Sequence, residues 1–309
     1  MNIKTLTVTL ETVTPLFLGG ANQRGMPELR PPSFRGIIRY WLRATLGGVI
    51  GDDNLNGLHQ LENVVFGSQK SHSPIHLRLS AHPKNKYLKY KKENILPHKG
   101  RGLREAFGAG QKIELTMQQF QDVDEITWNV ACTSLSLALT FGGVGLRSRR
   151  GYGTLKALKS SDVKLVPLTP TSFDDWIRHI EIVVKNAINS AAHLAQSESI
   201  PLAELPNGLS RYPSATRKSL IRLTNLKTDS AMEAVSSFMK IVPDEQCFGS
   251  IKPRQGSPLW VRPVEIDHKY GLLFAVLASR FDGCNYGEID GFLRYAFRGK
   301  DIAVKGWNL

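Results

Sequence analysis

The chain has 309 residues, 41% of them hydrophobic, with 40 Lys and Arg against 27 Asp and Glu and a formal charge of +13. That length and apolar content exclude a peptide ligand and a disordered tail, and they predict two domains, 1–160 and 161–309, each with its own core. Three cysteines, Cys132, Cys247 and Cys284, are too few and too scattered for a disulfide framework, which predicts core thiols in a reducing compartment. The first residues alternate apolar and polar types, unlike a signal peptide, and no window reaches the ~18 apolar residues of a membrane span. A soluble cytoplasmic protein is the expectation.

Ile3 to Val13 alternates and is rich in β-branched residues, which predicts a first strand. Thr14 to Pro32, with Gly19, Gly20, Gly25 and four prolines, reads as a long loop of the kind that carries function. Ser33 is expected to cap a helix that runs to Leu46 and ends at Gly47-Gly48. Its apolar side is Ile37, Ile38, Trp41, Leu42 and Leu46; its other side aligns Arg35, Arg39 and Arg43, four apart, in one stripe. An irregular segment follows. Strands are then expected near Pro74–Ala81 and Lys112–Phe120, separated by a lysine-rich insert, 83–110. Between Lys84 and Arg104 this insert holds eight basic residues and one acid, Glu93, with Tyr87 and Tyr90 interleaved, a segment that cannot bury itself.

A helix over Asp124–Leu139, a glycine-rich loop over 142–153 and a strand over Tyr152–Leu158 complete the order β-α-β-β-α-β. That order predicts a ferredoxin-like (RRM-like) domain, an antiparallel sheet with both helices on one face and the other face free. In the second half, a helix over Phe173–Ala195 is followed by strands near Leu220–Leu223 and Leu259–Val264, a helix over Ala231–Lys240, an apolar run Tyr270–Leu277 and a helix near Ile289–Phe297. The fold class is therefore α+β, with a second, degenerate ferredoxin-like domain.

Charge is unevenly spread: residues 1–160 hold 22 basic and 11 acidic side chains, residues 161–309 hold 18 and 16. A one-sided basic excess suits a polyanion, since each neutralised phosphate releases counterions; the alternative is a solvated basic face. The stretch Gly142–Gly153 has five glycines in twelve residues around Arg147, Arg149 and Arg150. It follows a helix and precedes a strand, the reverse of a dinucleotide fingerprint, and no GKS or GKT occurs, so no nucleotide cofactor is expected. Exposed amides at Gly143 and Gly145 beside three arginines suit a phosphate cradle, with a tight connector as the alternative. The candidate RNA-binding set is thus Asn22, Arg24, Ser33, Arg35, Arg39, Arg43, Lys89, Lys91, Lys92, Gly143, Gly145, Arg147, Arg149 and Arg150, with Tyr87 and Tyr90 able to stack on bases.

Catalytic signals are sparse. His72, His76 and His82 lack the spacing of a metal site, and neither HExxH nor GxSxG occurs. Glu28, between Arg24 and Arg30, is expected to form a salt bridge, with a general-base role as the alternative. Tyr152 is the one His or Tyr near the glycine loop that a metal-independent endoribonuclease would use.

The string Val13-Thr14-Pro15-Leu16-Phe17-Leu18-Gly19-Gly20, continued by Arg24-Gly25, Pro27 to Ser33, Arg35-Gly36 and Arg39-Tyr40-Trp41, resembles the opening of the first RAMP subunit of the Cmr complexes, the type III-B CRISPR effectors. Gly142–Gly153 resembles the glycine-rich loop of RAMP proteins, and in the second half only Ser257–Pro263 looks similar. The resemblance covers most of residues 8–46 and 138–158. It implies two ferredoxin-like domains, no cofactor, and a non-catalytic subunit that binds guide RNA near its 3′ end and the guide-target duplex beside other Cmr RAMP subunits. In similar backbone subunits an extension between strands wedges into that duplex, and an aspartate in the loop after the first strand cuts target RNA; here that loop offers Glu28.

Overall fold

The first strand, β1 (Thr5–Thr12), follows from its alternation: Leu6, Val8 and Leu10 are buried, while Thr5, Thr7 and Thr9 face the other way. Residues 3–22, 25–83, 87–203, 211–252, 254–280, 286–304 and 307 are described in this computed structural model. The first helix, α1 (Pro31–Ile50), starts before Ser33, with Arg30 at its N-cap position and no side chain capping it. Pro31 and Pro32 fill its first positions, where a missing N–H costs nothing, so Ser33 lies inside the helix and is not its cap.

The helix also runs past Gly47-Gly48. These glycines mark a crossing, not a stop: the Ala215 amide donates to the Ala44 carbonyl (2.8 Å), and a Cβ on Gly48 would stand 2.0 Å from the Ala215 carbonyl oxygen. A second helix, α2 (Leu55–Phe66), fills the segment the sequence leaves irregular. Its Asn54 cap, Asn56 and Gly57 mimic a loop, while Leu61, Val65 and Phe66 bury it.

Next come β2 (Ile75–Ala81), β3 (Tyr90–Leu96), β4 (Arg101–Phe107), β5 (Lys112–Gln119), α3 (Glu125–Phe141) and β6 (Leu155–Ser160). Asp124 caps α3 by accepting the Thr127 amide. Strands β2, β5, β1 and β6 pair in that order, all antiparallel, which is the ferredoxin-like arrangement. The lysine-rich insert is the β3–β4 hairpin, and it buries more than the sequence suggests. Ala106 and Phe107 are buried, and Ile95 and Leu96 pack into the second unit's core.

The second half contributes α4 (Phe173–Ser197), β7 (Leu220–Thr224), α5 (Ala231–Ile241), the short pair β8 (Ser250–Ile251) and β9 (Arg254–Gln255), β10 (Leu259–Ile266), β11 (Lys269–Val276), α6 (Tyr286–Ala296) and β12 (Asp301–Ala303). Strands β10, β11, β7 and β12 form a second antiparallel sheet with the same topology as the first. Pro263 is tolerated because β10 is an edge strand.

Period-two alternation sorts the second sheet between two cores. Leu273, Ala275 and Leu277 join α1, α3 and α4 in a central helical layer, while Leu272, Phe274 and Val276 face Phe238 of α5 and Leu293 of α6. The first sheet is covered on its inner face by that central layer, and its outer face carries Thr7, Thr9, Glu114, Thr116 and Gln118, all partly exposed. Cys132 is a buried free thiol, as expected; Cys247, expected to be another core thiol, is instead disulfide-bonded. Among the described residues no helix is long and apolar enough to cross a membrane.

Candidate nucleic-acid interface

The arginine stripe of α1 is held from below by an acid that the sequence reading passed over. Glu62 of α2 is 4% exposed, and its Oε1 accepts from Arg39 Nε and Arg43 Nη1, both at 2.6 Å. One buried carboxylate thus orients two arginines and neutralises one of them, leaving the remaining guanidinium donors toward solvent. Arg35, one turn earlier, has no acid partner among the described residues, and burial, then Arg39, lowers its pKa from the ordinary arginine value. Ser33 precedes it on the same helix. Its amide is taken by the Arg30 carbonyl (3.1 Å), and the two prolines before it have no N–H, so this helix start offers an anion few backbone donors.

The glycine-rich loop folds against the protein itself. The amides of Val144, Leu146, Arg150 and Gly153 go to the carbonyls of Gly153, Phe17, Arg147 and Pro15. Gly145 has φ +87°, and a Cβ there would stand 2.2 Å from the Phe17 carbonyl oxygen, so this glycine serves close packing on the loop after β1. Gly143 is buried beside it. What the loop presents outward is side chains.

Its three arginines have separate fates. Arg149 lies over the rings of Tyr40 (5.3 Å) and Trp260 (5.2 Å) and donates to the Ser257 carbonyl (2.9 Å), joining α1 to β10 across the two units. Trp260 Nε1 in turn donates to the Tyr40 hydroxyl (3.2 Å). Arg150 lies over Phe238 of α5, and its enclosed Nη1 has no hydrogen-bond partner. Burial, then Arg147 and Arg149, pulls its pKa down to about 10. Arg147 adopts φ +61°, and burial lowers its pKa from the ordinary value.

The hairpin brings further cations to the same place. Its tip, Pro97–Lys99, turns at Gly100 and meets α5. There the His98 pKa is held below the ordinary histidine range by burial, then by the charges of Lys99, Arg147 and Lys240. None of the four has an acid partner among the described residues. The sequence separates them: Lys240 sits in the half whose charge nearly cancels, and no spacing rule links it to residue 98.

Along the hairpin, Lys91 pairs with Glu93 (3.1 Å), Lys92 is exposed, and the Lys89 amide donates to the Gln111 side chain (3.0 Å). Tyr87 and Tyr90 are exposed, and the Tyr90 hydroxyl donates to Met26 Sδ (2.9 Å). Tyr90 and Met26 line a groove of about 870 Å³ between the hairpin base, β2 and residues 21–22 and 25–29. The Asn22 carbonyl accepts the Gly25 amide (3.1 Å) at the turn of that loop, and Arg24 lies outside the described residues.

The residues considered for catalysis are otherwise engaged. Glu28 accepts the Ala21 amide (3.3 Å) and Arg30 donates to the Gly19 carbonyl (3.4 Å); Glu28 and Arg30 form no ion pair with each other, and Arg24, the other expected partner, lies outside the described residues. Tyr152 is fully buried, packs edge-on to Phe17 and donates its hydroxyl to the Asn94 carbonyl of β3. Burial, then Glu93, pushes its pKa up to about 12, far from a neutral-pH base. Among the described residues no group of three or more His, Cys, Asp or Glu is placed to hold a metal ion.

Comparisons with known proteins agree with this architecture. The RAMP superfamily matches residues 9–156. The Cmr subunit Cmr1-1 of the CRISPR system of Pyrococcus furiosus is 26% identical over 302 residues, covering 88% of this chain and 87% of that protein. Cmr1-2 of the same organism is 30% identical over 176 residues, covering 48% of this chain and 91% of that protein. Among solved structures, the crystal structure of apo Cmr1 from Pyrococcus furiosus superposes with a TM-score of 0.68 at 21% identity, over all of both chains. A chain in the cryo-EM structure of the type III-B Cmr-beta complex bound to cognate target RNA and AMPPnP gives 0.63 at 14% identity, covering 96% of this chain and 99% of that one. With two antiparallel ferredoxin-like sheets, a glycine-rich loop packed between them and this degree of identity, the chain belongs to the RAMP superfamily and is a homologue of the Cmr subunit Cmr1.

Proposed function

We propose that the chain is a non-catalytic RNA-binding subunit of a type III-B CRISPR ribonucleoprotein. In this reading it seats guide RNA near the 3′ end, contacts the guide-target duplex, lies against other Cmr RAMP subunits and works in the cytoplasm. The observation that carries the proposal is the docking of the hairpin tip, with His98 and Lys99, on α5, the helix of Lys240, where the charge of Arg147 from the glycine loop is also felt, none of these groups having an acid partner among the described residues. Like charges gathered at one place repel, a cost that a phosphate chain offsets on arrival. Arg35 and the outward donors of Arg39 and Arg43 extend the cationic surface along α1. We also infer that the chain divides near residue 160, with α4 as a helix shared by both units.

The names of the relatives support the reading, and sequence discrimination is left to base pairing by the guide. The test is guide-RNA affinity across a salt series for the wild type and for Lys99→Gln/Arg147→Gln/Lys240→Gln. Loss of three phosphate contacts to a single strand lowers the slope of log affinity against log salt by about 2. An unchanged slope contradicts the assignment.

A further inference from the structure

Each four-stranded sheet ends in two edge strands, and three of these four edges are closed or blunted. β6 is met by the second unit: the Val261 amide donates to the Arg149 carbonyl (3.3 Å) just before it, and Arg262 Nη2 donates to its Leu155 carbonyl (2.6 Å). β10 carries Pro263, and β12 is three residues long. β2 has none of these devices. Its seven residues include no proline, no lysine and no inward charge, and its register with β5 runs from Ile75 to Ala81 without a bulge.

Parity fixes which backbone groups β2 leaves over. The Pro74 carbonyl accepts the Phe120 amide (2.8 Å) and the His82 amide donates to the Lys112 carbonyl (3.0 Å), so the even-numbered residues between them bond to β5. The N–H and C=O groups of Leu77, Leu79 and Ala81 therefore point to the free edge. Leu79, Ser80 and Ala81 all line the groove of about 870 Å³ described above, although their side chains alternate between the two faces of the sheet. The groove thus runs beside the strand's edge. Among the described residues no hydrogen bond from the hairpin or from residues 25–29 reaches those outward groups.

The lining states what chemistry belongs there. Met26, Leu29, Leu88, Tyr90 and Phe107 make it apolar, no lysine or arginine lines it among the described residues, and its one charged group is the exposed carboxylate of Glu28. A phosphate chain meets no cation in it and is repelled by Glu28. We propose that β2 and this groove take an extended segment of another protein subunit, which adds to the first sheet as a fifth strand and reaches Glu28 with a lysine or arginine. Its apolar side chains rest on Tyr90 and Met26. Main-chain bonds give such a strand its affinity, and the side-chain contacts its specificity. A second copy of this chain is the poorer occupant, since the one unblunted edge it offers is its own β2, behind the same walls.

This contact rests on the reading of the chain as a subunit of an assembly. Its first test is amide-resolved hydrogen exchange on the full chain, alone and in the assembled ribonucleoprotein. The Leu79 and Ala81 amides are expected to exchange fast alone and to slow by about tenfold or more on assembly. A photo-crosslinking group in place of Ser80 is expected to give adducts with an apolar segment of another subunit that carries a lysine or arginine. Ala81→Pro removes one outward N–H and leaves the ladder to β5 intact. It is expected to weaken incorporation into the assembly by about tenfold, the equivalent of one backbone hydrogen bond, with the salt slope of guide-RNA binding unchanged. Adducts with RNA or with a second copy, exchange at Leu79 and Ala81 that assembly does not slow, or full incorporation of Ala81→Pro overturns the proposal. The lysine and arginine triple variant tests the RNA reading on its own, so the two fail separately.

Discussion

Arg149 shows how far a residue's place can depart from its sequence context. Among glycines and two other arginines it reads as a phosphate ligand, yet it is spent on two aromatic faces and a carbonyl that join α1 to β10. Arg149→Ala is therefore expected to lower stability by about 2 kcal/mol, the sum of partly buried cation–π contacts and one hydrogen bond to a charged group. Arg149→Lys does not restore it, because an ammonium cannot lie flat between two rings. Urea unfolding measures both, and an unaltered midpoint in Arg149→Ala contradicts the structural role. Glu62 is the converse: an isolated acid in an undistinguished segment, it orients two of the arginines that the sequence had aligned.

Among the elements, those with a clean period were legible and those whose period is masked were not. β1 and α4 carry their alternation or helical spacing openly and α3 is a long apolar run behind its Asp124 cap, whereas α2 starts with Asn54, Asn56 and Gly57 and is identified only by what it buries. The end of α1 was misplaced because glycine signals both a stop and a close approach, and only the chain crossing at Ala215 decides between them. The burial of the hairpin is not legible in its sequence because its apolar residues rest on α5 and the second core, contacts more than a hundred residues away. Its β3–β4 amides are accordingly expected to exchange slowly in the absence of RNA; exchange at unprotected rates contradicts a docked hairpin.

The α3–α4 contact supplies a pH dependence. His179 Nε2 and the Thr140 hydroxyl are 2.9 Å apart, and burial, then Arg262, pulls the His179 pKa from 6.5 down to about 4. The folded chain takes up this proton less readily than the unfolded chain, so the contribution is complete above about pH 6.5 and is lost as pH falls toward 4. Over that window the loss amounts to roughly 3 kcal/mol, and His179→Asn is expected to flatten it in urea titrations at fixed salt.

At the scale of the whole molecule, two sheets of one topology enclose a shared helical layer, and the hairpin and glycine loop join them on one side. The repeat was invisible as sequence because the two units share a pattern of elements and few residues; the β-α-β-β-α-β order alone carried it. The first sheet keeps an outer face of threonine, glutamine and glutamate, the place where an RRM-like domain would bind a single strand. The junction cluster and that face make opposite predictions about where RNA lies. Photo-crosslinking groups placed at residues 99 and 240, and separately at residues 7 and 116, decide between them in the assembled ribonucleoprotein. RNA adducts are predicted at 99 and 240 and none at 7 and 116, whereas adducts on the sheet face with none at the junction contradict the account.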